Sequence, residues 1–162
     1  MKGFVPKKIY KILTKFSPIA SNDVLVEFKG KYLLLKRTGD PARGLWYTPG
    51  SRIYKNEKLV DAVHRVAKEE LGINKIKIEK FLAVSEFFCK PGKFGQKDIY
   101  YISFAYLVKP VGDFKIKMDY QHSDFAFYKN PPKNSHIYIR KLFSLAKKKN
   151  LCITQVGSYT LS

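Results

Sequence analysis

Cysteine is nearly absent from this sequence: among 162 residues only Cys89 and Cys152 carry a thiol. Two cysteines cannot build a disulfide framework, and neither has the close Cys/His company of a zinc site, so both read as free thiols of a reducing compartment. A long apolar run is missing too. The longest, residues 99–108, falls well short of the roughly 18 to 20 residues that cross a bilayer. The basic N-terminus is not followed by a signal-type apolar segment, so the reading disfavours membrane spanning and secretion and expects a cytoplasmic chain with no membrane partner. Neither a low-complexity linker nor a repeat divides the sequence, which argues for one domain over residues 1–162. Acidic residues are scarce: 13 Asp and Glu face 31 Lys and Arg, for a formal charge of +18.

What is present is enough for one packed core, with 45% hydrophobic and 15% aromatic side chains. The charge is carried mostly by lysine, arginine standing only at positions 37, 43, 52, 65 and 140. Such a field attracts anions, whether nucleic acid, an acidic membrane surface or a small phosphorylated substrate, and charge alone does not choose among them.

Apolar residues at Ile9, Ile12, Leu13 and Phe16 predict a short amphipathic helix over residues 6–16, ending before Pro18. Residues 23–28 and 32–36 read as a hairpin around Lys29-Gly30, and 46–54 as strand, turn and strand broken at Pro49-Gly50. Asn56 is a candidate cap for a helix over 57–71 that stops at Gly72. Strands follow over 75–88 and 98–108, joined by a loop with Pro91-Gly92 and Gly95. Then come a loop through 119–124, a short strand 125–128, a basic helix 135–148 and an extended tail. Strands on both sides of one central helix indicate an α+β fold.

The central helix supplies the first chemical signal. At roughly 100° per residue Leu59, Val63, Val66 and Ala67 share one stripe, and Glu70 falls inside it. A carboxylate aimed at a core must find a cation or strong donors, unless it bends out to water beside Gly72. Glu69 lies at the edge of the stripe, one turn from Arg65.

Gly50-Ser51, Glu57, Arg65 and Glu69-Glu70-Leu71-Gly72-Ile73 together resemble the box of the Nudix hydrolases, spanning about residues 51–73. Five residues separate Ser51 from Glu57 and seven separate Glu57 from Arg65. Two departures stand out: Ser51 replaces the usual opening glycine, and Val66 replaces the carboxylate that normally follows the box arginine. The flanks are similar to one branch, the GDP-mannose mannosyl hydrolases. The residues that carry this are Ser17-Pro18 through Asp23, Leu34-Leu35-Lys36-Arg37-Thr38, Pro41-Ala42-Arg43-Gly44-Leu45-Trp46, Pro49-Gly50, Arg52 and Gln121-His122-Ser123-Asp124. The similarity runs from about Phe4 to Lys148, and the branch also tolerates a non-carboxylate at the position of Val66.

The resemblance implies a Nudix-type α/β/α sandwich around a mixed β-sheet. It implies a metal ion held by the carbonyl of Gly50, by Glu70 and by Gln121, an oxygen-only shell suited to Mg²⁺ or Mn²⁺. It assigns His122 as the general base that activates water at the sugar C1, a task suited to an imidazole. Arg37 and Arg52 would stabilise the departing diphosphate, while Arg65 braces Glu57 or Glu69 within the motif. Phe4, Val5 and Tyr10 match positions that contact the nucleotide base, in some members across a dimer interface, although plain docking of the first helix would use them equally. Asp23 matches an acidic residue near the sugar; inside a strand it is equally a buried hydrogen-bonding group. His64 and His136 read as ordinary surface and helix-start residues. Phe87 and Tyr101 lie near positions where better-known members carry histidines, which opens selectivity to another hexose, a deoxy sugar or a different nucleotide.

The expected activity is therefore metal-dependent hydrolysis of a nucleoside-diphosphate sugar, GDP-mannose to GDP and mannose by C–O cleavage. The alternatives are a Nudix pyrophosphatase cutting P–O in a nucleotide sugar or nucleoside triphosphate, and a nucleic-acid-binding module with lost catalysis. An anionic nucleotide sugar is the expected partner, with a homodimer and nucleic acid left open.

Overall fold

The computed structural model describes residues 5–40, 42–90, 96–118, 120–133, 135–148 and 156–161. Phe4, Cys152 and the 91–95 loop lie outside them. The elements run α1 (Lys7–Phe16), β1 (Ile19–Phe28), β2 (Lys31–Arg37), β3 (Trp46–Tyr47), β4 (Gly50–Arg52), α2 (Leu59–Leu71), β5 (Ile76–Cys89), β6 (Ile99–Pro110), β7 (His122–Tyr128), α3 (Ile137–Lys147) and β8 (Val156–Leu161).

One mixed sheet organises them, in the order β3-β2-β1-β6-β5-β8, with β4 also paired to β1 and β7 to β2. The β1–β6 and β5–β8 pairs are parallel and the others antiparallel. Alternation along β1 divides the core between the two faces, as the period of two along a strand requires. Val24 and Val26 join Leu33, Leu35 and the α2 residues Val63, Val66, Ala67 and Leu71. Leu25 joins Leu34, Phe87 and the α3 residues Tyr138, Ile139, Leu142 and Phe143 on the other face. The result is the expected α+β sandwich with a helix on each side of a mixed sheet.

Local signals explain most boundaries. Lys29 and Gly30 both take positive φ, +50° and +72°, the pair of left-handed residues that a tight two-residue hairpin demands. Gly72 closes α2 at φ +70°, and the amides of Gly72 and Ile73 reach back to the carbonyls of Lys68 and Ala67, which satisfies the last turn.

Five expectations are corrected. The helix α2 starts at Leu59, because Asn56 sits in a turn at φ +64° and caps nothing; Lys58 is the capping position. Leu59, at the first turn, is exposed rather than part of the buried stripe. The strand β1 begins at Ile19, since its parallel partner β6 offers a ladder from Ile19↔Tyr101 onward. The strand β7 begins at His122, which is therefore not a loop residue. The tail residues 156–161 become an edge strand on β5. No helix among the described residues is long and apolar enough to cross a membrane.

Candidate active site

Glu70 points inward, as its place on the α2 stripe predicts, and is only 6% exposed. Its Oε2 accepts the backbone N–H of Gly50 at 3.0 Å, which answers the need for a strong donor and joins the two ends of the box. Gly50 itself is wedged against β1. A Cβ there would lie 2.5 Å from Asp23 Oδ1 and 2.6 Å from the Asn22 carbonyl oxygen, closer than a methyl group can approach either atom. Glycine at 50 is a packing requirement.

The other two box carboxylates are held by one arginine. Arg65 Nε and Nη2 donate to the two oxygens of Glu57 at 2.6 and 2.9 Å, Nη1 donates to Glu69 at 3.1 Å, and Nη2 also reaches the Arg52 carbonyl at 2.9 Å. The guanidinium lies 3.7 Å from the centroid of the Tyr54 ring. Burial opposes the charge of Arg65, but its hydrogen bonds to Glu57 and Glu69 outweigh that and raise its pKa. The bond from Arg65 in turn holds the Glu57 carboxyl below the usual glutamate range. Glu57 can do this because it lies ahead of α2, where it also accepts the Tyr54 amide at 2.9 Å.

On the α3 side of the sheet, Asp23 is buried. Its Oδ2 accepts hydroxyls from Ser103 and Tyr138, both at 2.6 Å, and its Oδ1 accepts Thr48 at 3.2 Å. Burial pushes its carboxyl pKa up, with the three hydroxyls and the charge of Arg37 pulling against that rise. Arg37 also acts on Tyr47, Cys89 and Tyr101, so its charge faces the same cluster. Burial pushes the Cys89 thiol up to about 12, which makes it an inert packing group. His122 is the register partner of Arg37 across β2 and β7, next to an irregularity between Lys36 and Arg37, and is 8% exposed. The neighbouring Gln121 presents its carbonyl to the Thr38 amide at 3.0 Å and hydroxyl at 2.8 Å.

Glu70 is hydrogen-bonded to Gly50 and Gly50 packs on Asp23; Arg37 acts on Asp23 through its charge, and Arg37 and His122 are neighbours in backbone register. At the margin of this group Tyr10, the buried residue of α1, shares a 2.8 Å hydrogen bond with Tyr101. The charge of Arg52 acts on Tyr10, and the Arg52 guanidinium lies 5.2 Å from the Tyr54 ring. Val5 is partly buried. His64 is exposed on the polar side of α2.

Sequence reading passed over the aromatic wall beside Asp23. Phe87 stacks on Tyr159 at 5.4 Å and meets Tyr138 edge-on at 4.8 Å, and Tyr47 stacks on Tyr138 at 5.7 Å. Tyr138 and Tyr159 come from α3 and β8, and no local pattern links them to a strand near the start of the chain. His136 also does more than begin a helix. Its Nδ1 accepts the Tyr138 amide at 3.2 Å and its ring lies 5.8 Å from that of Tyr159.

Among the described residues no group of three or more His, Cys, Asp or Glu side chains converges to hold a metal ion. The donor set that the resemblance implies, the Gly50 carbonyl, Glu70 and the Gln121 amide, draws on backbone and amide oxygens as well; of these the structure joins Gly50 to Glu70, while the Gln121 backbone lies against Thr38. That set suits a hard ion such as Mg²⁺. The fully buried side chain of Asn22, in register with Ser51, has no hydrogen-bond partner among the described residues. It leaves polar capacity beside Gly50 for a hydrated ligand.

Comparison with known proteins agrees with this geometry. The NUDIX domain profile matches residues 19–138. The low-salt glycan biosynthesis protein Agl8 of Haloferax volcanii is 33% identical over 138 residues, covering 85% of this chain and 87% of that protein. An ADP-ribose pyrophosphatase of Methanocaldococcus jannaschii is 28% identical over 117 residues, 72% of this chain and 66% of the relative. In structure, the MutT NUDIX hydrolase of Burkholderia pseudomallei superimposes with a TM-score of 0.63 at 20% identity, over 81% of this chain and 99% of that one. With the box, its bracing arginine and the sandwich in place, the chain belongs to the Nudix hydrolase family.

Proposed function

We propose that this Nudix hydrolase acts on a nucleoside-diphosphate sugar, specifically converting GDP-mannose to GDP and mannose by breaking the glycosyl C–O bond. The supporting observation is the pairing of Arg37 with His122 across the sheet, with the Arg37 charge reaching Asp23. On this reading the three supply a base, a cation for the leaving group and an acidic residue on the sugar side. A bound Mg²⁺ or Mn²⁺ would neutralise the diphosphate and make GDP a better leaving group. Glu70, the Gly50 carbonyl and Gln121 are its assigned ligands.

His122 removes a proton from the attacking water, and Arg37 and Arg52 stabilise the negative charge that accumulates on the diphosphate. Val5 and Tyr10, together with Phe4, contact the base. Phe87 and Tyr101 border the sugar and set its selectivity. The box also favours this reading over the pyrophosphatase. Glu57 is held by Arg65 and position 66 is a buried valine, which leaves Glu69 and Glu70 as the box carboxylates open to metal ions. The proposal includes a cytoplasmic location, supported by the scarcity of cysteine.

Hydrolysis in ¹⁸O-water followed by mass analysis tests the proposal. Label is expected in the sugar, and His122→Gln is expected to lose roughly 10²- to 10⁴-fold in kcat while still binding nucleotide. Label confined to phosphate would establish the P–O reaction instead.

A further inference from the structure

Helix α1 has an apolar face that the described residues leave uncovered. Tyr10 alone is buried, while Ile9, Ile12 and Phe16 are 49%, 50% and 84% exposed and Leu13 stands out beside them. At about 100° per residue these four side chains fall within an arc of about 100°. Lys7, Lys8, Lys11 and Lys15 fill a second arc of similar width that adjoins the first at Lys8, and Lys8 and Lys15 are both exposed. The helix thus has three edges: Tyr10 docked on Tyr101, an open apolar face, and a cationic flank. Because α1 attaches through Tyr10, the apolar arc is not consumed by the core.

The occupant follows from charge. A second copy of the chain, itself of formal charge +18, would set an identical lysine flank against this one. A nucleic acid would pair with the lysines and offer nothing to Ile, Leu and Phe. An anionic lipid surface supplies hydrocarbon and negative headgroups in a single plane, matching both arcs at once. We propose that α1 lies in the interface of an anionic bilayer, with Ile9, Ile12, Leu13 and Phe16 at the acyl boundary and Lys8 and Lys15 among the headgroups. The positive charge of the remaining surface draws the protein to such a membrane from a distance. This revises the expectation of no membrane partner, which addressed spanning segments; a 10-residue helix lies in the plane. The inference is independent of the proposed hydrolysis.

The test is co-sedimentation with vesicles of phosphatidylcholine alone or with about 30% phosphatidylglycerol. Binding is expected only to the anionic vesicles, falling as salt rises from roughly 0.1 to 0.5 M. The double variant Ile12→Asn/Phe16→Asn should partition at least about tenfold more weakly, with an unchanged thermal midpoint because both side chains are exposed. Absence of wild-type binding to anionic vesicles would overturn the proposal. So would equal binding by variant and wild type, since charge alone would then account for it. A wild-type dimer in ultracentrifugation that the variant dissolves would assign the face to a second copy instead.

Discussion

The carboxylate of Glu70 accepts the amide of Gly50 at 3.0 Å across a sequence separation of 20 residues, so the last glutamate of the helix and the glycine that opens β4 form one unit. Gly50 is in turn held against Asp23 with no room for a side chain. Glu70→Gln is expected to weaken Mg²⁺ binding and to lower turnover by at least about 100-fold. Excess chelator should abolish wild-type turnover. Isothermal titration with Mg²⁺ and rate measurements in EDTA check both, and full activity in chelator would contradict the assignment.

Arg65 meets Glu57 through two parallel bonds and Glu69 through a third, a geometry that a single ammonium cannot reproduce. Arg65→Lys should therefore cost about 2 kcal/mol in urea denaturation, the price of leaving Glu57 and the Arg52 carbonyl short of donors. Glu57 has a lowered folded-state pKa. Its contribution is thus complete above the unfolded value near 4.5 and is lost as pH falls through the folded one. The Arg65→Lys deficit should shrink correspondingly in acid.

His136 caps α3 through its unprotonated Nδ1. Burial lowers its pKa below the ordinary 6.5, with the Thr160 carbonyl opposing the shift. A base with a depressed folded pKa stabilises the fold fully above its unfolded value, and that stability is lost as pH falls through the folded one. Thermal midpoints should hold steady above about pH 7 and decline below about pH 6. His136→Asn, which keeps a capping oxygen, should flatten that part of the decline. Parallel curves for the two proteins would show that His136 has no part in it.

Much of the fold was legible in the sequence because the relevant physics is local. The 3.6-residue period set the face of α2 and put Glu70 on it, Gly72 ended the helix through its left-handed backbone, and Lys29-Gly30 turned the first hairpin. The spacing of Glu57, Arg65 and Glu70 could likewise be read from the sequence, since it reflects one helix and the turn before it. The +18 charge announced an anionic partner without naming it.

Tertiary structure decided what depends on residues far apart in the chain. Asp23 takes its three hydroxyls from residues 25, 80 and 115 positions away, brought together by the parallel β1–β6 ladder and by α3 packing behind it. His122 became a strand residue because β2 offered it a partner, and 156–161 became a strand because β5 had an open edge. For α1 the sequence showed an amphipathic helix but not which edge would meet the sheet. The Tyr10–Tyr101 contact chose that edge, leaving Ile12 and Phe16 facing outward. Hydrophobic periodicity records that a face is apolar; only the completed packing determines whether that face is buried.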